Sequence, residues 1–235
     1  MEHAVKKISS GLCLFFLMLV LVASVIACDG DDDDAENKAG QLPVLKVGDT
    51  WEYTNTEEGA SYAITMEVTG EDEVEGADLY VVKMTIDPPA EGMIDEAIAG
   101  FDKELLLPIW MKMSGETEGT AFTAETEATY EISSGSRWPL EVGKEIVIIE
   151  STVTNIEAGD ETYTENETET KTYKVEAVEK ITVEAGTFEC FRTVEYDENG
   201  EKVSTMWHSD KVKTSVKEID HETGEAQELI SYSVQ

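Results

Sequence analysis

From Gln41 onward apolar and polar residues alternate with a period of two, and that alternation restricts the chain to strands with one buried face. Trp51 and Tyr53 alternate with Glu52 and Thr54. Tyr62, Ile64, Met66 and Val68 alternate with Ala63, Thr65 and Glu67, and Tyr80, Val82, Met84 and Ile86 with Val81, Lys83 and Thr85. Threonine recurs beside glutamate throughout, as suits a pleated, half-solvated surface that favours a branched Cβ.

Turn chemistry divides the second half into hairpins. Thr172 to Val183 reads as a strand, Glu184-Ala185-Gly186 as a tight turn, and Thr187 to Tyr196 as the returning strand. Asn199-Gly200 marks the next turn, followed by strands from Val203 to His208, Val212 to Ile219 and Glu228 to Val234. The acidic, threonine-rich stretch 157–170 reads either as a long hairpin loop or as two ragged strand ends. One segment breaks the period. After Pro88-Pro89, the residues Met93, Ile94, Ala97, Ile98 and Phe101 recur at helical spacing, with Glu91, Asp95 and Glu96 among them. The expected element is a short amphipathic helix that covers a sheet face or plugs a barrel end, with a lid over a cavity as the alternative. The halves also echo each other: Leu42-Pro43-Val44-Leu45-Lys46-Val47-Gly48-Asp49 resembles Trp138-Pro139-Leu140-Glu141-Val142-Gly143-Lys144. A Val-Gly turn before a strand can arise twice independently, so a single β domain and two similar meanders, 41–135 and 136–235, both remain open.

The N-terminus has a different character. Lys6 and Lys7 precede an uncharged run, 11–27, that ends Leu21-Val22-Ala23-Ser24-Val25-Ile26-Ala27-Cys28. This order resembles a bacterial lipoprotein signal peptide, a helical leader with small residues before a cysteine that becomes diacylated. An uncleaved membrane-spanning anchor is the alternative, and either one tethers the domain on the extracytoplasmic side of a cell membrane. The expected organisation is a signal peptide at 1–27, an acidic spacer at 28–40 and a β domain at 41–235, with lipidation at Cys28. Cys13 would leave with the signal, so Cys190 would be the only thiol of the mature chain. On the same strand face as Phe188, it reads as a buried cysteine.

Charge narrows the partners. The chain carries 51 acidic and 17 basic residues, a net charge of −34. No basic stripe exists to neutralise phosphates, which excludes nucleic acid, and an anionic bilayer surface would repel the domain. The spacer contains five aspartates and almost nothing apolar, the composition of a solvated leash. It matches the ligand spacing of a calcium loop only in fragments, so no metal is expected there.

Three motifs carry a family resemblance. Trp138-Pro139-Leu140-Glu141-Val142-Gly143-Lys144, then Val183-Glu184-Ala185-Gly186-Thr187-Phe188-Glu189-Cys190, then Met206-Trp207-His208-Ser209 with Val212-Lys213 resemble the TapB-like domain of bacterial envelope proteins and lipoproteins. That domain has no assigned function. The resemblance implies a mainly β fold, an antiparallel, strongly curved sheet or half-barrel, and brings no reaction. The chain departs from the pattern at His208, where tyrosine is more common.

No catalytic set is present: there is no Gly-x-Ser-x-Gly elbow, no His-Glu-x-x-His, no phosphate-cradling loop and no Cys-x-x-Cys. Ser209, His208 and Asp210 are consecutive and would point to alternating faces, so they form no triad. His208 reads as a solvated strand residue. Arg137 and Arg192 are the only arginines and read as structural. The expectation is a non-enzymatic protein without metal or cofactor. Its partners would be the membrane, through the anchor, and either a hydrophobic ligand held by Trp51, Tyr53, Phe188 and Trp207 or an envelope protein recognising a filled β core.

Overall fold

The computed structural model describes residues 39–57, 60–87, 94–117 and 119–235. The signal segment, Cys28, the spacer up to residue 38 and Met93 lie outside these residues. The described chain forms twelve antiparallel strands in a closed barrel, each paired with its neighbours in sequence, and the first paired with the last. They are β1 (Thr50–Glu57), β2 (Ala60–Val74), β3 (Ala77–Asp87), β4 (Ile94–Asp102), β5 (Pro108–Thr117) and β6 (Thr120–Ser134), then β7 (Glu145–Ala158), β8 (Glu161–Val183), β9 (Gly186–Tyr196), β10 (Lys202–Ser209), β11 (Thr214–Asp220) and β12 (Ala226–Ser233). The stretch 157–170 is thus a continuous hairpin, in which Ala158 faces Glu161.

Two expectations are corrected. The half-barrel is a closed barrel, because Thr50 to Thr56 of β1 pair with Ser233 to Ala226 of β12. That contact joins the two ends of the chain and leaves no trace in local periodicity. The amphipathic helix is strand β4, paired with β3 on one side and β5 on the other. A register shift between Ile94 and Glu96 places one extra residue in the strand. Ile94 and Ala97 therefore both reach the core, and a bulged strand acquires the three-residue spacing of a helix. Beyond the bulge, Ala97, Ala99 and Phe101 alternate inward as any strand would.

Apolar side chains fill the interior. Trp51, Tyr53, Ile64, Met66, Val82, Met84, Phe101, Met111, Phe122 and Ile156 belong to one buried cluster. Outward lie Thr65, Glu67, Thr123, Glu125 and Glu127, all exposed. This is the reverse of a membrane-spanning barrel, which is apolar outside and polar within.

One seam is incomplete. β11 and β12 pair only from Lys217 to Ile219, beside the turn that joins them, and diverge on the far side of Lys217. The backbone groups stranded there find other partners, as buried polar groups must. Tyr53 donates its hydroxyl to the carbonyl of Ser215 (3.1 Å), the Trp51 indole N–H donates to the carbonyl of Val212 (2.6 Å), and the Ala185 N–H, at the tip of the β8–β9 hairpin, donates to Leu229 (3.2 Å). The fully buried Asp49 carboxylate then ties the chain ends to this seam. It accepts from the Lys213 ammonium (2.9 Å), the Lys46 N–H (2.9 Å) and the Gln235 N–H (2.8 Å).

Removing one partner of a buried pair leaves the other charge uncompensated, at about 3–5 kcal/mol. Asp49→Ala is expected to lower unfolding stability by that amount in equilibrium urea denaturation followed by tryptophan fluorescence. The double variant Asp49→Ala/Lys213→Met should recover a large part of the loss.

Candidate functional site

The barrel interior is not uniformly apolar. On β7 the inward period runs Ile146, Ile148, Glu150; on β8 it runs Lys171, Tyr173, Val175; on β9 it includes Thr193 and Glu195. These polar side chains stay in phase with the apolar ones, so the fold buries them together. Lys171 donates to Glu150 (2.6 Å) and lies 3.2 Å from Glu169, while Ser204 donates to Glu195 (3.1 Å). Burial opposes the charge on Lys171, but Tyr173, Glu150 and Glu195 outweigh it and raise its pKa, which keeps the ammonium protonated. Glu195 is pushed up to about 7, chiefly by burial and against the pull of Lys171 and Ser204. Glu218 on β11 is raised well above the usual carboxylate range by burial, with Glu195, Asp220 and Glu225 adding to it.

The loop between β6 and β7 enters the barrel beside this polar group. Gly135 turns with φ of +80°, and a Cβ there would lie 2.2 Å from the Glu145 carbonyl oxygen, so a side chain would force the loop away from β7. The close approach delivers Arg137 and Trp138. The buried guanidinium sits 5.9 Å from the ring centroids of both Trp138 and Tyr173. The loop then closes through the Val142-Gly143 turn. Its Lys144 N–H donates to Glu141, its Gly143 N–H donates to Val175, and the Val175 N–H donates back to Lys144. The Val47-Gly48 turn repeats this pattern, with Asp49 N–H to Lys46, Gly48 N–H to Val68, and Val68 N–H to Asp49.

Between that loop and strands β7 to β10 lies a cleft of about 30 Å³. Arg137, Trp138, Leu140, Lys144, Ile146, Tyr173, Val175, Thr193 and His208 line it, with Ser136 and Glu145. His208 is 1% exposed, packs edge-on against Trp138 with ring centroids 6.0 Å apart, and has no hydrogen-bond partner at either ring nitrogen. The Trp138 indole N–H is likewise buried without a partner. Burial, reinforced by the charge of Arg137, depresses the His208 pKa to about 3, so the ring is neutral at physiological pH. The expectation of a solvated histidine is therefore corrected. β10 carries it inward opposite Phe191 by ordinary alternation with Met206, and the extra residue of the register shift beside it, Val216, lies on β11.

The aromatic residues expected to hold a ligand lie elsewhere. Trp51 and Tyr53 seal the β11–β12 seam, and Phe188 packs against Tyr232 with centroids 5.9 Å apart. Trp207 is half-buried and donates its indole N–H to Glu179. None of the four lines the cleft. Arg192 pairs with Glu176 (3.2 Å) near the surface. Cys190 is buried beside Phe188, and burial first, then Glu179 and Glu189, push its thiol up to about 12. Sequence reasoning passed over Glu150, Lys171, Tyr173 and Glu195. The signal available was a charged residue falling in step with an apolar strand period.

A final feature is the overshoot of β8. Its pairing with β9 begins at Thr172, so residues 161–171 pair with β7 alone. β6 overshoots β5, and β2 overshoots β1, by shorter stretches.

No family model matches the chain, the TapB-like domain included, and no curated protein matches it. Two solved structures are similar. One is a Bacteroides fragilis protein described as exported and as having a YmcC-like fold, 9% identical, covering 83% of this chain and 100% of its own, with a TM-score of 0.38. The other is a Parabacteroides distasonis protein described as a lipoprotein, 11% identical, covering 84% of this chain and 100% of its own, with a TM-score of 0.42.

The raised pKa of Glu195 fixes a sign for pH dependence. The folded chain holds this proton more tightly than the unfolded one, so the stabilisation is complete below the ordinary carboxylate value and is lost as pH rises toward about 7. A shift of this size corresponds to roughly 3 kcal/mol, at about 1.4 kcal/mol per pH unit. Glu195→Gln should remove that slope, so that its urea midpoint exceeds the native one at about pH 8 and not at about pH 5.

Proposed function

We propose that the chain is a non-catalytic binding module, anchored by acylated Cys28 on the extracytoplasmic side of a cell membrane, with its ligand site in the Arg137–Trp138–His208 cleft. The observation that carries the site is His208: a neutral imidazole, almost fully buried, with both nitrogens facing no partner beside a buried guanidinium. Leaving a buried polar group unpaired costs about 1–3 kcal/mol, and a ligand that pairs it recovers that cost.

The anchor has a geometric bearing on the site. The N–H of Gly40 donates to Leu140 (2.8 Å) and the N–H of Leu140 donates to Gly40 (2.7 Å). Leu140 lines the cleft, so the leash departs beside it. About a dozen residues at no more than ~3.6 Å each keep the cleft within about 40 Å of the anchor. Envelope ligands are thus within reach, and the acidic outer face keeps the barrel off an anionic bilayer without engaging nucleic acid. The three motifs singled out in the sequence converge on this region and the seam. They form the cleft loop, the tip that seals the seam and the strand that carries His208.

A second reading rests on the β8 overshoot, whose free backbone edge, flanked by Glu167 and Glu169, suits an envelope protein offering a basic strand. The two readings part in one experiment, native mass spectrometry of the full chain extracted from its own membrane, with a denatured run beside it. The module predicts an acyl mass at Cys28 that survives denaturation and a further small mass that denaturation releases and His208→Phe abolishes. Acyl mass alone would defeat it, and a bound protein lost on Glu167→Lys would favour the edge.

A further inference from the structure

The geometry points to a carboxylate as the group the cleft recognises: the head of a small organic acid whose apolar tail lies against Leu140, Ile146 and Val175. The inference rests on the cleft being a binding site, as proposed above, and adds the chemical class of its ligand.

Charge selects the sign. In a chain with three times as many acids as bases, this cleft is lined by Arg137 and Lys144, and by one acid, Glu145. An ammonium would meet two cations on entry. Hydrogen bonding selects the group. The Trp138 indole supplies one N–H, and the neutral His208 supplies another from whichever nitrogen is protonated; neither N–H has a partner. A carboxylate is acceptor-only, with two oxygens able to take both bonds while facing the guanidinium. A hydrocarbon would leave three buried ring nitrogens unsatisfied.

Space and lining select the rest. About 30 Å³ admits a planar head with two oxygens. The apolar walls offer nothing to the other oxygens of a phosphate, whereas they accept a short alkyl or aryl tail. Depression of the His208 pKa supports the same choice, because an uncharged ring donates one hydrogen bond without requiring a counterion inside the barrel.

The test is calorimetric titration of the full chain in detergent with butyrate, butyramide, butylamine and inorganic phosphate, paralleled by the indole N–H resonance of Trp138. Butyrate should bind saturably and at least tenfold more tightly than butyramide, shift that resonance, and lose affinity several-fold in Trp138→Phe, which keeps an aromatic side chain and removes the donor. His208→Phe should abolish the preference for the acid. If butyramide binds as well as butyrate, the cleft remains a binding site and the carboxylate assignment falls. Phosphate binding in place of butyrate overturns the organic-acid class, and silence from every probe overturns both the class and the module.

Discussion

Closure of this barrel depends on satisfying the backbone where β11 and β12 part. Three paired positions cannot hold a seam, and an open seam would expose a row of unpaired carbonyls to water. The chain answers with long-range donors, the Trp51 indole, the Tyr53 hydroxyl and the Ala185 amide, and with a buried Asp49 that gathers Lys46, Lys213 and Gln235. The approach to β1, the β10–β11 turn and the C-terminal residue thereby meet at one carboxylate. These bonds fix where the strands end, and so which loops can enter the barrel from either side.

In the cleft, ring nitrogens lack such partners. The β6–β7 loop is bound through Gly143 and Lys144 to Val175 and through Leu140 to Gly40. Yet it sets the Trp138 N–H beside the buried His208 ring without pairing either. Elsewhere the interior tolerates charge by pairing it, as Lys171 does with Glu150 and Glu169, or by holding a carboxyl protonated, as burial promotes at Glu195 and Glu218. Unmatched donors beside a buried guanidinium are an arrangement that a ligand would complete.

The strand content and most turns were legible because period-two patterning and Asn-Gly or Ala-Gly turns are local signals. What escaped was mostly non-local or bulged. β1 meets β12 across the whole sequence, and β4 reads as a helix because its bulge adds one residue between Ile94 and Glu96. His208 reads as solvated because a lone histidine among many acids suggests an exposed face, although it keeps step with the buried Met206. The Val-Gly echo was legible as sequence, and its two turns share one hydrogen-bond pattern. The charged interior could have been found by asking which charges keep step with the apolar face: Glu150 follows Ile146 and Ile148, and Lys171 precedes Tyr173 and Val175.

The most direct test of this account is nitrogen-15 NMR of the His208 imidazole in the folded chain, followed through acidification and butyrate addition. The account predicts a neutral ring that does not titrate near the ordinary histidine value, and nitrogen shifts that move when butyrate is added. A ring that protonates near its unperturbed pKa, with nitrogens indifferent to butyrate, would contradict it.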